Sequence, residues 1–320
     1  MIGEYYRAEH ENQVLFLGDC EVYENFSPVT LYEKHGITSY IRGGPNQLVW
    51  QSYYLLEDTL RVETPEIVVF NVLAMKDAVP ASEAYNRLNL DGMRWSRAKF
   101  DAIEASKTEV DSTLSYLFPL LRYHDRWDEL SAEDFRYFFR RDLVTHNGYY
   151  MRVDVKPADI VPKAPRLRDY SLPDSNYRWL DRMRELCESR GAELVLVKAP
   201  TIYPFWYPEW DDQIQDYAEE HHLLYTNLLA RSGEIGLDFE TDTYDGGLHL
   251  NKSGAEKSAD WFGAVLKDRY DLADRRSDVR ARETWDIIRM DYERMAIRQM
   301  RDMEAYGKVL TFTYERTRGE

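Results

Sequence analysis

Apolar residues cluster in short unbroken runs along the first third of the chain, separated by stretches with helical spacing. Val14-Leu15-Phe16-Leu17 is one such run, closed by Gly18, and predicts a buried strand. Thr38 to Arg42 predicts a second strand, ended by Gly43-Gly44. Pro45 stands where a helix can begin, and Gln47 to Leu60 continues it with large apolar side chains. Ile67-Val68-Val69-Phe70 predicts a third strand, ending at Asn71. Strands separated by helices of this length predict a parallel sheet with right-handed crossovers.

The rhythm breaks from about residue 80 to 170. Helical stretches at Phe100 to Ala105 and Ser112 to Phe118 precede an aromatic segment, Phe135 to Phe139, and a loop holding Pro157, Pro162, Pro165 and Pro173. This part is expected to be an insertion capping the sheet edge. The alternation resumes with a helix from Tyr177 to Arg190 closed by Gly191, a strand from Glu193 to Val197, a helix from Gln213 to His222, a short strand from Leu223 to Thr226 and a helix from Gly254 to Tyr270. From Asp274 to Met303, Trp285, Ile288, Tyr292 and Met295 recur three or four apart, the mark of one amphipathic helix. Such a helix docks on its own domain or on a second copy of the chain. The expected organisation is an α/β domain over residues 1–273, with the insertion inside it, and a helix and tail over 274–320.

The 320 residues carry a formal charge of −16, which disfavours a broad nucleic-acid footprint. There are two cysteines, Cys20 and Cys187, so no disulfide scaffold is expected. No apolar run is long enough to span a bilayer, and the start, MIGEYYRAEHENQ, lacks the basic and apolar regions of a secretory leader. A cytoplasmic protein is expected from the sequence as it stands, or an extracytoplasmic one if an anchor precedes it. No phosphate loop or dinucleotide fingerprint occurs, and no zinc-binding motif, so no cofactor is expected.

Two stretches carry candidate chemistry. In Leu17-Gly18-Asp19-Cys20-Glu21 a reactive side chain follows the first strand directly. Carboxyl ends of parallel strands face the ligand crevice, and a thiol at the start of a helix is expected to ionise more readily than a free one. An inert, buried cysteine is the competing outcome. The second stretch is Thr243 to Ala255, in which His249 follows Gly246-Gly247 and precedes a helix. A nucleophile needs a base, and the base an orienting acid. Cys20, His249 and Asp245 supply these types, with Asp242 as the reserve acid. The other histidines, His10, His35, His124, His146, His221 and His222, lack this setting.

Together the two stretches resemble the SGNH/GDSL hydrolase family. Gly18-Asp19-Cys20 is similar to its Gly-Asp-Ser segment. Asp245 to His249, followed by Leu250-Asn251 and Gly254-Ala255, is similar to its carboxy-terminal Asp-x-x-His block. The resemblance covers roughly residues 12 to 270 outside the insertion. It runs nearest the bacterial branch that includes the D-alanyl transfer protein of teichoic acid synthesis and polysaccharide O-acetyl esterases and transferases. It departs from the family in having cysteine in place of serine, and in spacing acid and histidine by four residues instead of three. Phe70-Asn71-Val72-Leu73 also lacks the glycine and the aspartate that flank the family's asparagine.

The resemblance implies a three-layer α/β/α sandwich about a parallel central sheet. It implies acyl-ester hydrolysis or transfer on a carbohydrate or cell-envelope ester, with Cys20 as nucleophile, His249 as base and Asp245 as orienting acid. Gly44 (or Gly43), Asn71 and the Cys20 N–H are the implied oxyanion donors. Lys198, Arg42 and Gln47 are expected at the mouth as substrate-binding groups, and Trp206, Tyr207 and Trp210 as an aromatic rim. The partners this reading calls for are an acylated substrate, a membrane acyltransferase, and a second copy through the terminal helix. The alternative is a catalytically degenerate domain that binds a glycan or an acyltransferase partner through the same cleft.

Overall fold

A computed structural model describes residues 1–108, 113–117 and 142–317 of the chain. Its centre is a five-stranded sheet of β1 (Val14–Gly18), β2 (Ser39–Gly43), β3 (Ile67–Asn71), β4 (Glu193–Lys198) and β5 (Leu224–Asn227). The spatial order is β2-β1-β3-β4-β5 and every pairing is parallel. In register, Val14 lies opposite Ser39 on one side and Ile67 on the other. The fold is thus of the expected α/β class.

Alternation along the strands explains why both faces must be covered. Val14, Phe16, Ile67, Val69, Val195 and Val197 point into one apolar cluster, and Leu15, Leu17, Val68, Phe70, Leu194 and Leu196 into another. Continuous apolar runs are what a sheet buried on both sides requires. The first cluster is completed by α1 (Cys20–Asn25) and α2 (Pro28–His35). The second is completed by α3 (Val49–Thr59) and, from the insertion, by α4 (Glu83–Leu90), α5 (Arg97–Ser106) and α6 (Thr113–Leu117). The aromatic segment Phe135 to Phe139 lies outside the described residues.

The later helices are α7 (Asp174–Arg190), α8 (Pro208–Glu220), α9 (Ser232–Ile235), α10 (Lys252–Arg269) and α11 (Val279–Tyr306). Helices α7 and α8 join the second cluster, α10 and α11 the first. Gly191 closes α7 in the left-handed conformation (φ 72°), as its position after Arg190 predicts. Helix α11 begins at Val279, later than the periodicity suggests, because Asp278 caps it by accepting from Arg280 N and Ala281 N. The helix docks on its own domain. Trp285 stacks on Tyr32 with centroids 4.8 Å apart, and the Tyr292 hydroxyl donates to Glu256 at 2.9 Å. Among the described residues no helix is long and apolar enough to cross a membrane.

Candidate active site

The carboxyl ends of β1, β3 and β4 converge with the start of α1 and the loop before α10. Asp19 caps α1 by accepting from Glu21 N at 3.2 Å, which places Cys20 in the first turn. Asn251 caps α10 by accepting from Gly254 N at 3.2 Å. Between them runs the tight loop that carries the histidine. Gly246 and Gly247 take φ of 84° and 99°, and Gly247 N donates to Thr243 Oγ1 at 2.8 Å. That winding returns the Asp245 carboxylate to His249 twice: Oδ1 accepts from the backbone N at 2.9 Å and Oδ2 lies 2.6 Å from Nδ1. The extra residue between acid and histidine is accommodated by the two glycines.

Asp242, the reserve acid, is placed elsewhere. It is buried, accepts from Asp238 N at 2.9 Å and pairs with Lys257 at 2.6 Å. Its role is to hold the loop. The His249 side chain is 12% exposed, and among the described residues Nε2 has no partner and is not sealed from solvent. Burial pushes the imidazole pKa down. The hydrogen bond to Asp245 and the charges of Glu24 and Asp245 outweigh it, so the ring holds its proton above the usual histidine range. His35 also meets an aspartate, Asp260 at 2.8 Å, but through Nε2 and between α2 and α10. His146 is fully buried, and His124 lies outside the described residues.

Cys20 is half-buried, and no hydrogen bond joins its sulfur to His249. The expected easy ionisation is corrected. Burial, then the charges of Asp19, Glu24 and Glu21, push the thiol well above its ordinary value. The positive helix end is outweighed by three carboxylates within one turn. Asp19 is itself pushed up to about 7 by burial and by Glu21. Cys187 is buried in the second cluster.

Two of the expected oxyanion donors, Asn71 and Gly44, are already engaged. Asn71 Nδ2 donates to Asp19 Oδ1 at 3.1 Å and to Glu21 Oε2 at 2.9 Å, while its Oδ1 accepts from Ala199 N at 3.0 Å. Gly44 N donates to Gly18 O at 3.3 Å, and a Cβ at Gly44 would lie 2.1 Å from Asn89 Oδ1. Gly43 is packed against Val22 and the Gly18 carbonyl. The expectation of open donors at Asn71 and Gly44 is therefore corrected: the Asp19 and Glu21 carboxylates and the Gly18 carbonyl have taken them.

The three substrate-binding expectations are corrected on the same ground. Lys198 is fully buried, with Nζ 2.9 Å from Glu21 Oε1, 2.7 Å from Ala199 O and 3.0 Å from Thr201 Oγ1. Thr201 also donates to Glu21. Arg42 is buried on the opposite side of the sheet edge, donating to Asp58 at 2.9 Å, Thr59 at 2.9 Å and Leu55 O at 3.1 Å, with its guanidinium 4.2 Å from the Tyr5 ring centre. Gln47 is buried and donates to Arg42 O at 3.2 Å and Ser52 Oγ at 2.9 Å. Such groups enter a fold only when internally paired. In the expected rim, Trp210 is a core residue and Tyr207 donates to Pro165 O at 2.6 Å. The most exposed ring of that loop is Tyr203, whose N lies 3.3 Å from Gly247 O, directly beside the histidine loop.

Several functional neighbours were not singled out by sequence. Glu24 lies one helical turn beyond Cys20, a spacing that puts both on one face. Its Oε2 is 3.5 Å from His249 Nδ1 and accepts from the Tyr244 hydroxyl. The Tyr244 ring is nearly parallel to the imidazole, and Arg152 lies 4.3 Å from the Tyr244 ring centre. Among the described residues no cluster of three or more His, Cys, Asp or Glu has the arrangement of a metal site.

Fold and site together define a three-layer α/β protein with a histidine–aspartate pair at the carboxyl edge of a parallel sheet. No protein-family model matches the chain, and no curated protein matches its sequence. Among solved structures it is similar to a protein assigned to the lipolytic G-D-S-L family from Desulfitobacterium hafniense. That pair has 12% identity and a TM-score of 0.39, covering 80% of this chain and 100% of the other. It is also similar to an assigned acylhydrolase from Bacteroides fragilis, at 12% identity and a TM-score of 0.38, covering 81% and 88% of the two chains. A GDSL-like lipase from Bacteroides thetaiotaomicron gives 11% identity and a TM-score of 0.36, covering 84% and 100%. At that level of identity and superposition no residue role carries across.

Proposed function

We propose that this chain carries out acyl-ester hydrolysis or transfer on a carbohydrate or cell-envelope ester, with Cys20 as nucleophile and His249 as general base. One observation carries the reading: Asp245 grips His249 through both Nδ1 and the backbone N, and among the described residues Nε2 has no partner. An imidazole so oriented is built to take a proton.

Because the thiol is held neutral, it acts as a serine hydroxyl would. With an ester bound, Sγ turns toward Nε2, the proton passes to His249 and sulfur attacks the carbonyl carbon. The C–O bond breaks, the leaving alkoxide takes the proton back, and a thioester remains. Water or a sugar hydroxyl then attacks the thioester by the same route in reverse. The backbone N–H of Cys20 is the oxyanion donor this reading retains.

A second reading has its own observation: Asn71, Asp19, Glu21, Lys198 and Thr201 satisfy one another in the crevice. A site closed in that way binds an acylated glycan, or an acyltransferase that supplies the chemistry, without turnover. The test is hydrolysis of aryl acetate esters by the wild type, Cys20→Ala, Cys20→Ser and His249→Gln. Catalysis predicts a loss of roughly 100-fold or more in kcat/KM for His249→Gln and loss of a trapped acyl adduct in Cys20→Ala. A wild type without turnover, matched by every variant, leaves only the binding reading.

A further inference from the structure

Glu24 is a buried carboxylate that the proposed reaction does not call on. It reaches His249 from α1, while Asp245 reaches the same ring from its own loop. Both are aimed at Nδ1, Asp245 at 2.6 Å and Glu24 at 3.5 Å. One N–H cannot serve two acceptors equally, so the nearer carboxylate takes the hydrogen bond. Burial pushes the farther one, Glu24, up from the usual carboxylate range, against the pull of the His249 charge and the Tyr244 hydroxyl, and in its ionised form it acts as a charge. An unpaired carboxylate in this position would be costly. Its Oε2 is held by the Tyr244 hydroxyl, and the nearly parallel Tyr244 and His249 rings lie 6.0 Å apart.

We propose that Glu24 is a positioning residue, a second carboxylate fixed by Tyr244 whose charge stabilises the imidazolium formed when His249 takes a proton. For its part in catalysis this rests on the function proposed above; its electrostatic effect is independent of turnover. The charged and titratable groups that bear on the ring are Glu24, the Cys20 thiol that the proposed reaction turns toward Nε2 and, farther off, Glu21, all from α1, with Tyr244 and Asp245 from the histidine loop. Arg152 enters from the preceding segment. It is tied to Asp154 at 2.6 Å and sits over Tyr244, so its positive charge opposes the carboxylates without displacing them. A neutral carboxyl that merely tethered the loop to α1 would leave the ring's titration unchanged on Glu24→Gln.

The experiment is NMR titration of the ring-labelled full chain, with the His249 signal identified by its loss in His249→Gln. Glu24→Gln is expected to lower the His249 pKa by about one unit, and Glu24→Asp to restore most of the shift. Tyr244→Phe is expected to move it the same way, because a carboxyl without its donor swings off or protonates. It decides the matter if Glu24→Gln does not fold. Asp245→Asn gives the scale of a lost direct partner. His249 titrating as in the wild type in both Glu24→Gln and Tyr244→Phe would overturn the proposal. Ester turnover measured on the same samples separates the two ideas. A lowered pKa with an inactive wild type keeps Glu24 and sinks catalysis, and an unmoved pKa in an active enzyme does the reverse.

Discussion

Lys198 and Glu21 stand 177 positions apart and are both fully buried, joined at 2.9 Å. Desolvation makes such a pair a poor source of net stability, yet removal of one partner strands the other charge. Lys198→Met is therefore expected to destabilise the fold by about 3–5 kcal/mol, read by urea denaturation. The double variant Lys198→Met with Glu21→Gln is expected to lose less than Lys198→Met alone. A double variant that loses the sum of the Lys198→Met and Glu21→Gln losses would show that the two charges do not depend on each other. The same reasoning separates Asp245 from Asp242: both are near His249 in sequence, but Asp242 already has Lys257 and the Asp238 N–H.

Helix α11 follows the core domain and yet supplies part of its core. Trp285, Ile288, Tyr292, Met295 and Ala296 are buried in the first apolar cluster, with Phe16, Phe26 and Phe262. An amphipathic helix of this length is held by what its apolar stripe covers, more than by its own propensity. Trp285→Ala removes the ring stacked on Tyr32 and leaves a void, at an expected cost of about 3–5 kcal/mol. Thermal unfolding checks this. A single transition shifted to lower temperature is expected, and an unshifted one would mean that the helix adds nothing to the domain.

At the scale of the molecule, stability and pH are linked through buried groups of opposite sign. His146 is fully buried between Tyr314, stacked at 4.5 Å, and Tyr292, and among the described residues neither ring nitrogen has a partner. Burial, with a smaller push from Arg316, holds its pKa down to about 3 against an ordinary 6.5. The unfolded chain therefore takes a proton below pH 6.5 that the folded chain refuses until about pH 3, and stability is lost as pH falls through that window. Asp19 works the other way. Its folded pKa is raised to about 7, so folding gains as pH falls from there toward 3.8. Comparing wild type with His146→Phe cancels the Asp19 contribution. The variant is expected to gain on the wild type by about 2 kcal/mol between pH 7 and pH 5, measured by urea denaturation at both. Parallel pH dependences would refute the linkage.

Local pattern determined the five strands and the longer helices of this protein, while the shorter α2, α4 and α9 carried no such mark. Continuous apolar runs mark strands buried on two faces, and periods of three to four mark the longer helices. All five expected strands are present, with ends shifted by one residue where Gly18, Gly43, Asn71, Lys198 and Asn227 extend the ladder. The histidine block was legible for the same reason, since Asp245 and His249 lie within one loop whose glycines permit the turn. Tertiary structure alone decided what the polar residues at the strand ends do. Arg42, Asn71 and Lys198 each stand at or next to the end of a strand, and position by itself points them at a crevice. Their partners, Asp58, Asp19, Glu21 and Thr201, are brought to them only when sheet and helices assemble, and burial then forces these groups to satisfy one another. Glu24 reached His249 by the same route, across 225 positions that no local spacing could relate.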